Sequence, residues 1–482
     1  MAIGALVVLA AAGFVNFGFF HVVQRQQIHY WDAFHYFVGA KYLPELCYTR
    51  LYEATYVAGR ELGAFAGIDR IRDLPSYQAR DTRSIDARAV RARFTEARWR
   101  AFKDDLLFFG PKIPDWRRLF MDHGYNDPPP RALLLHTLLR WVPATPLTLA
   151  AVTSVDYILI AGALALAARA FGPLAGALAA ASMLLSFFGR FDFIGGSVLR
   201  WDWMAALVAG VAALSRGAGA AAGLLFAYAA AARIFPALLL VPLAIKWLQK
   251  RRDRTPDRAL DRCLGTAVAA VTLGVVVVAA AASFLSVWEF VAKIRLHGDS
   301  AFTNHIGLGT WLVFHAAPWD LYVDGMRSVD PVALATSRPA WWVVPLVSAV
   351  YLTAALPLIL RARVLESIMY AVPLVWCAVS PAGYYYSFLV LLILLPWRDG
   401  AADRVRLLQM ALLSLLGAAT YALEIASHDA LPLMHRASTL LAVYFAVWLA
   451  LEYARPRALR RSTGAGAPAA RDGSAVPALP KI

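Results

Sequence analysis

Apolar runs of about twenty residues recur along the chain, broken by short polar punctuation and by two longer polar stretches. Twenty residues of helix cross about 30 Å of hydrocarbon. The runs are continuous rather than alternating, so they predict helices and not barrel strands, the only two ways to satisfy a backbone in lipid. They fall at residues 2–23, 147–168, 173–189, 199–214, 218–232, 234–248, 264–286, 340–360, 364–379, 384–397, 404–424 and 437–454. That makes about twelve spans, within a range of roughly 11–13. Their division is least sharply marked around Arg233-Ile234-Phe235-Pro236.

A long polar segment, residues 24–127, follows the first run. Its middle, residues 80–105, is dense in arginine and carries Val90, Phe94, Ala97, Ala101 and Phe102 at helical spacing. That pattern fits an amphipathic helix on a headgroup surface, and equally a solvated arginine-rich helix. Tyr125-Asn126-Asp127-Pro128-Pro129-Pro130 stops any helix before it and can start the next. Residues 131–142 form an apolar run too short to span, expected to be interfacial or re-entrant. The expected architecture is one all-α polytopic membrane domain over residues 1–454. Its first extracytoplasmic loop, 24–146, carries interfacial helices, and its second large one is 287–339. The Ala, Gly, Pro and Ser-rich tail, 455–482, is expected to be disordered and cytoplasmic. The first run lacks a convincing small-residue cleavage site and reads as a retained span. No clear internal repeat of the inverted-transporter kind is visible.

Composition agrees. Of 482 residues, 60% are hydrophobic and 16% charged, with mean hydropathy +0.55, whereas soluble domains carry about a quarter charged residues. The net charge of +15 sits in loops, so it reads as a positive-inside signal and attraction to anionic lipid, not as nucleic-acid binding. Basic stretches at 246–262, 361–363, 398–406 and 455–461 can all be cytoplasmic without breaking the alternation of spans. The three cysteines, Cys47, Cys263 and Cys377, lie in different regions and imply neither a disulfide nor a metal site. Frequent Ala and Arg fit a GC-rich bacterial genome, hence a multi-pass inner-membrane protein whose active face is periplasmic.

This topology gathers polar groups on one side. Tyr30-Trp31-Asp32-Ala33-Phe34-His35-Tyr36 follows the first run, putting Asp32 and His35 where the chain leaves the membrane. Such a stretch can be an interfacial anchor with a capping Asp, or a catalytic carboxylate among aromatics. Asp127, Arg190, Asp192, Arg200, Asn304, His305, Tyr384, Tyr386, His428 and Asp429 collect on the same side, with Arg233 at its edge. Arg233 on an apolar helix costs about 2.5–3.5 kcal/mol on insertion scales, so it needs a partner or a cavity. Its fork suits phosphate oxygens. His305 could meet a phosphate or be simply solvated, and Asp192 could position substrate or pair with Arg190 or Arg200. HExxH, paired CxxC, GxSxG, GxxxxGK and GxGxxG motifs are absent. One carboxylate with nearby cations suits a transfer whose leaving group is already an anion. A single base then takes the proton of the attacking hydroxyl, and the attacked centre inverts.

Five pieces of the chain, taken in order over most of residues 28–397, resemble the polyprenol-phosphate-mannose-dependent glycosyltransferase family 87 of the type C superfamily. They are WDAFHYFVGAKYL with LY at 51–52, YNDPPPRALLLHTLL, GAAAGLLFAYAAAARIFPALLLVPLAIKWL, Asn304-His305-Ile306-Gly307-Leu308-Gly309, and SPAGYYYSFLVLLILL. The resemblance implies a multi-span fold, an extracytoplasmic active site, a polyprenyl-phosphate sugar donor (mannose in that family) and a lipid or glycan acceptor. It implies an essential first-loop aspartate, by position Asp32, with Arg233 beside the donor. Substrate contacts are expected from His35, Tyr36, Asp127, Asp192, Arg233, Asn304, His305, Tyr384 and Tyr386. The residues name no cofactor, and a divalent cation stays open because type C members differ on metal use. The segment between Tyr52 and Tyr125 is longer than expected for the family, and Asn126-Asp127 interrupts its Tyr-Pro-Pro motif. A lipid-linked glycan transporter or flippase and a glycan ligase or polymerase are the competing readings.

Overall fold

The computed structural model describes residues 1–15, 28–186, 188, 195–299, 304–316, 342–400, 403–426 and 430–455. Arg190, Asp192, His428, Asp429 and the tail from residue 456 lie outside them. Five described helices are long and apolar enough to cross a membrane: Pro146–Phe171, Arg258–Ala280, Val343–Arg361, Arg404–Leu423 and Leu433–Ala454. Each coincides with an expected run. Six shorter apolar helices, among them Ala2–Phe14, Asp202–Ser215 and Gly219–Arg233, occupy other expected positions. The run expected at 234–248 is instead a 3-10 turn, Phe235–Leu240, followed by Val241–Arg252, which ends in Lys250, Arg251 and Arg252.

Local chemistry sets the boundaries. Thr145 and Thr148 form a reciprocal capping box ahead of Pro146, and Gly172 at φ +98° ends that helix before Pro173 opens the next. The helix expected at 264–286 begins earlier, because the Asp257 carboxylate accepts from the Ala259 and Leu260 amides, and it stops at Ala280. Along it only Leu260, Cys263, Ala267 and Val278 are buried. Val268, Leu273 and Val275 are 67%, 63% and 63% exposed. An apolar face of that extent is unfavourable in water and ordinary against lipid tails. On its inner side Gly219 and Gly223 of the neighbouring helix lie against it, where a Cβ on either would overlap the carbonyl oxygens of Ala259 and Cys263. Small residues four apart let two helices approach to backbone contact.

The arginine-rich segment folds differently from either expectation. Val90, Phe94 and Phe102 are buried in protein, not laid on a surface. Phe102 meets Tyr42 edge-on at 4.9 Å, and Phe94 meets Trp99 at the same distance. The stripe was legible, but periodicity cannot say whether lipid or protein covers it. The longer polar segment 24–127 around it also holds an antiparallel hairpin, Arg70–Arg72 with Ala79–Asp81, a small exception to the all-α expectation. Together with the helix Pro129–Leu139 and residues 278–290, it encloses a core distinct from that of the apolar helices. Of the short helix Pro129–Leu139, Arg131 and Leu135 are buried, while Leu134, Leu138 and the following Trp141 are exposed. The three cysteines are free thiols: Cys47 lies in the second core, Cys263 and Cys377 in the first.

Candidate functional site

The helix carrying Asp32 starts at Tyr30 with His29 as its cap, and His29 is tied to the Gly196 carbonyl at 3.0 Å. It widens into a π-helical turn at Phe34–Val38. Such turns re-aim side chains and recur at functional sites. Gly39 follows, and a Cβ there would strike the Tyr125 ring, so only glycine lets this helix lie against residues 125–127.

Asp32 is partly exposed. Its Oδ2 accepts from the Ser197 hydroxyl at 2.5 Å and lies 3.0 Å from Arg200 Nε. Among the described residues Oδ1 has no hydrogen-bond partner. Arg200 is 3% exposed; its Nη2 donates to the Tyr384 hydroxyl at 2.6 Å, and its guanidinium sits 4.0 Å from the Tyr36 ring centroid. The Tyr36 hydroxyl donates to Asn126 Oδ1 at 2.6 Å. Asp192, one expected partner of Arg200, lies outside the described residues; the partner the structure provides is Asp32.

Next to this pair stands a second buried group. Asp127, with no exposure, is ion-paired to both Arg131 and Arg233. Arg131 Nε also meets Asp202 Oδ2 at 3.0 Å, which accepts from the Tyr228 hydroxyl at 2.6 Å. The Arg233 guanidinium lies 5.8 Å from the Tyr36 ring that Arg200 covers, and 5.7 Å from Tyr385. Arg233 therefore has the partner its burial demands. Even so, among the described residues Arg233 Nε and Nη2 and Arg200 Nη1 lack hydrogen-bond acceptors. Buried guanidinium N–H groups are rarely left so. Both arginines also neighbour non-glycine residues at positive φ, Leu199 at +47° and Ile234 at +25°, a strain of order 1–3 kcal/mol that clusters at functional sites.

Other expected residues are placed elsewhere. His35 is buried and spends both ring nitrogens on protein, Nδ1 with the Trp31 carbonyl at 3.0 Å and Nε2 with the Tyr52 hydroxyl at 2.8 Å. Tyr384 joins the Asp32 group. Tyr386 is fully buried, donates to the Ile306 carbonyl at 3.1 Å and packs its ring on Phe188 and Phe388. His305 pairs its backbone with Ala382 and sets its ring 5.3 Å from His297, which is 5.8 Å from His123. Exposed Asn304 gives its carbonyl to the Gly383 amide at 2.7 Å. Burial pushes His123 down to about 4 and His305 down to about 3, so both imidazoles are neutral. Burial also brings Lys293 down to about 7; its Nζ donates to the Tyr48 and Tyr125 carbonyls. Among the described residues no group of three or more His, Cys, Asp or Glu is arranged to hold a metal ion.

Sequence reasoning missed Ser197, Arg131, Asp202 and Asp156 as members of this network. Asp156 accepts from the Arg200 and Trp201 amides at 2.7 and 3.0 Å. A signal existed for it: a lone carboxylate in the middle of the 147–168 run. No family model matches the chain, and no curated protein or solved structure matches it.

Proposed function

We propose that this chain is an integral-membrane inverting glycosyltransferase, moving a sugar from a polyprenyl-phosphate donor to an extracytoplasmic lipid or glycan acceptor, with Asp32 as base. The observation that carries the reading is the partly exposed Asp32 carboxylate paired with buried Arg200, which shares the Tyr36 ring with buried Arg233, both guanidiniums keeping N–H groups without acceptors among the described residues. Asp32 Oδ1 takes the proton of the acceptor hydroxyl while that oxygen attacks the anomeric carbon from the face opposite the phosphate. The bond from the anomeric carbon to the phosphate oxygen breaks, and its electron pair leaves on the phosphate. Arg233, with N–H groups to spare, binds that charge in a fork. Tyr384, hydrogen-bonded to Arg200, would meet the sugar or lipid as they pass. The site would face the periplasm of an inner membrane.

The test is transfer of label from radiolabelled polyprenyl-phosphate-mannose in membranes, wild type against Asp32→Asn. The expected result is a labelled product in wild type and a loss of at least about a hundredfold in the variant, the usual weight of a general base. Full transfer by a normally expressed Asp32→Asn would overturn the assignment. One observation favours a second reading: three buried arginines, Arg131, Arg200 and Arg233, suit a ligase or polymerase of lipid-linked glycans. In that case Arg233→Gln would abolish activity while Asp32→Asn retained it.

A further inference from the structure

We propose that Arg200 is shared between base and donor: it pairs with Asp32 until the lipid phosphate takes its place, so donor binding itself releases the base. This rests on the glycosyltransferase reading above. Arg200 is almost fully buried, yet among the described residues only one of its side-chain nitrogens, Nη2, makes a hydrogen bond. Nε lies 3.0 Å from Asp32 Oδ2 but out of line for a hydrogen bond, and Nη1 has no acceptor among the described residues. The pair is held by charge alone, with N–H groups left over, and a buried fork in that condition is an incomplete anion site. Arg233 supplies two more unsatisfied nitrogens around the same Tyr36 ring.

The surroundings allow the exchange. Asp156 fixes the root of Arg200 by accepting from its backbone amide, so the guanidinium alone must turn. Asp32 keeps the Ser197 hydroxyl at 2.5 Å, which maintains the aim of the carboxylate after the arginine has moved. Once the guanidinium has turned away, the Asp32 oxygen it faced at 3.0 Å is open to the acceptor's hydroxyl. The carboxylate thus becomes reactive only where a donor is already bound, which limits idle proton exchange with water.

The test is a binding cycle with farnesyl phosphate as probe, on the full chain in nanodiscs. Affinity is read by thermal stabilisation and calorimetry in wild type, Asp32→Asn, Arg200→Gln and the double variant. If phosphate and Asp32 compete for Arg200, Asp32→Asn binds about tenfold more tightly than wild type. Arg200→Gln binds at least tenfold more weakly, and adding Asp32→Asn to it then gains nothing. Unchanged or weaker binding by Asp32→Asn, or an equal gain in the Arg200→Gln background, overturns the proposal while leaving the donor reading intact. If farnesyl phosphate binds no folded variant, wild type included, the donor reading falls and this inference with it. Should Arg200→Gln fail to fold, Arg200→Lys serves: it keeps the charge without the fork, and the Asp32→Asn gain must shrink in it.

Discussion

At the scale of single residues, burial decides protonation. His123 is held neutral in the folded protein down to about pH 4, whereas an unfolded histidine takes its proton near 6.5. Between those values the unfolded chain binds a proton that the folded one refuses, so stability falls as pH falls through that window, by about 1.4 kcal/mol per unit for the one group. Melting temperature in detergent should therefore drop from pH 6.5 to 4, and His123→Gln should flatten the slope. An unchanged slope would mean that Asp122, 3.1 Å from the ring, offsets the burial and lets the ring titrate freely. Asp32 and Arg233 stood out in the sequence because charge at the end of an apolar run is costly and visible. Arg200 was visible as well, but its partner was not. Asp192 was nearer in the chain, and the side chain that reaches Arg200, Asp32, comes from the segment just after the first apolar run. A pairing between distant segments leaves no local trace.

At the scale of elements, the five long apolar helices were legible to within about six residues, since hydrophobic periodicity and caps are local, whereas the run at 234–248 broke into a 3-10 turn and a shorter helix. What covers each apolar face was not. The stripe at Val90, Phe94 and Phe102 reads the same whether it meets lipid or Tyr42 and Trp99. The Gly219 and Gly223 pair is a sharper signal, and it makes a prediction. Gly223→Ala presses a methyl group into the Cys263 carbonyl and should cost about 1–3 kcal/mol, seen as a lower melting temperature. Gly265→Ala, on the opposing helix with nothing within 4 Å, should be neutral or slightly stabilising. Equal effects from the two would mean that the helices do not meet along this seam.

At the scale of the whole molecule, the buried charges join segments far apart in the chain. Arg131 holds both Asp127 and Asp202, the latter 71 residues away. Arg131→Met should leave two buried carboxylates undercompensated and cost about 3–5 kcal/mol. Adding Asp202→Asn should recover part of that, measurable as the yield of monodisperse protein. The same network constrains how the protein is made. Asp127 and Arg131 emerge together and can pair at once, but Arg233 follows Asp127 by 106 residues. At ribosomal speed that is on the order of ten seconds. For that interval Asp127 has one of its two arginines, and the short helix bearing Arg131 has no finished cavity to enter. Assembly of this region must therefore wait on synthesis: the proline-led helix has to linger at the membrane surface, or in the shelter of the insertion machinery, until the later arginine arrives to close the cluster.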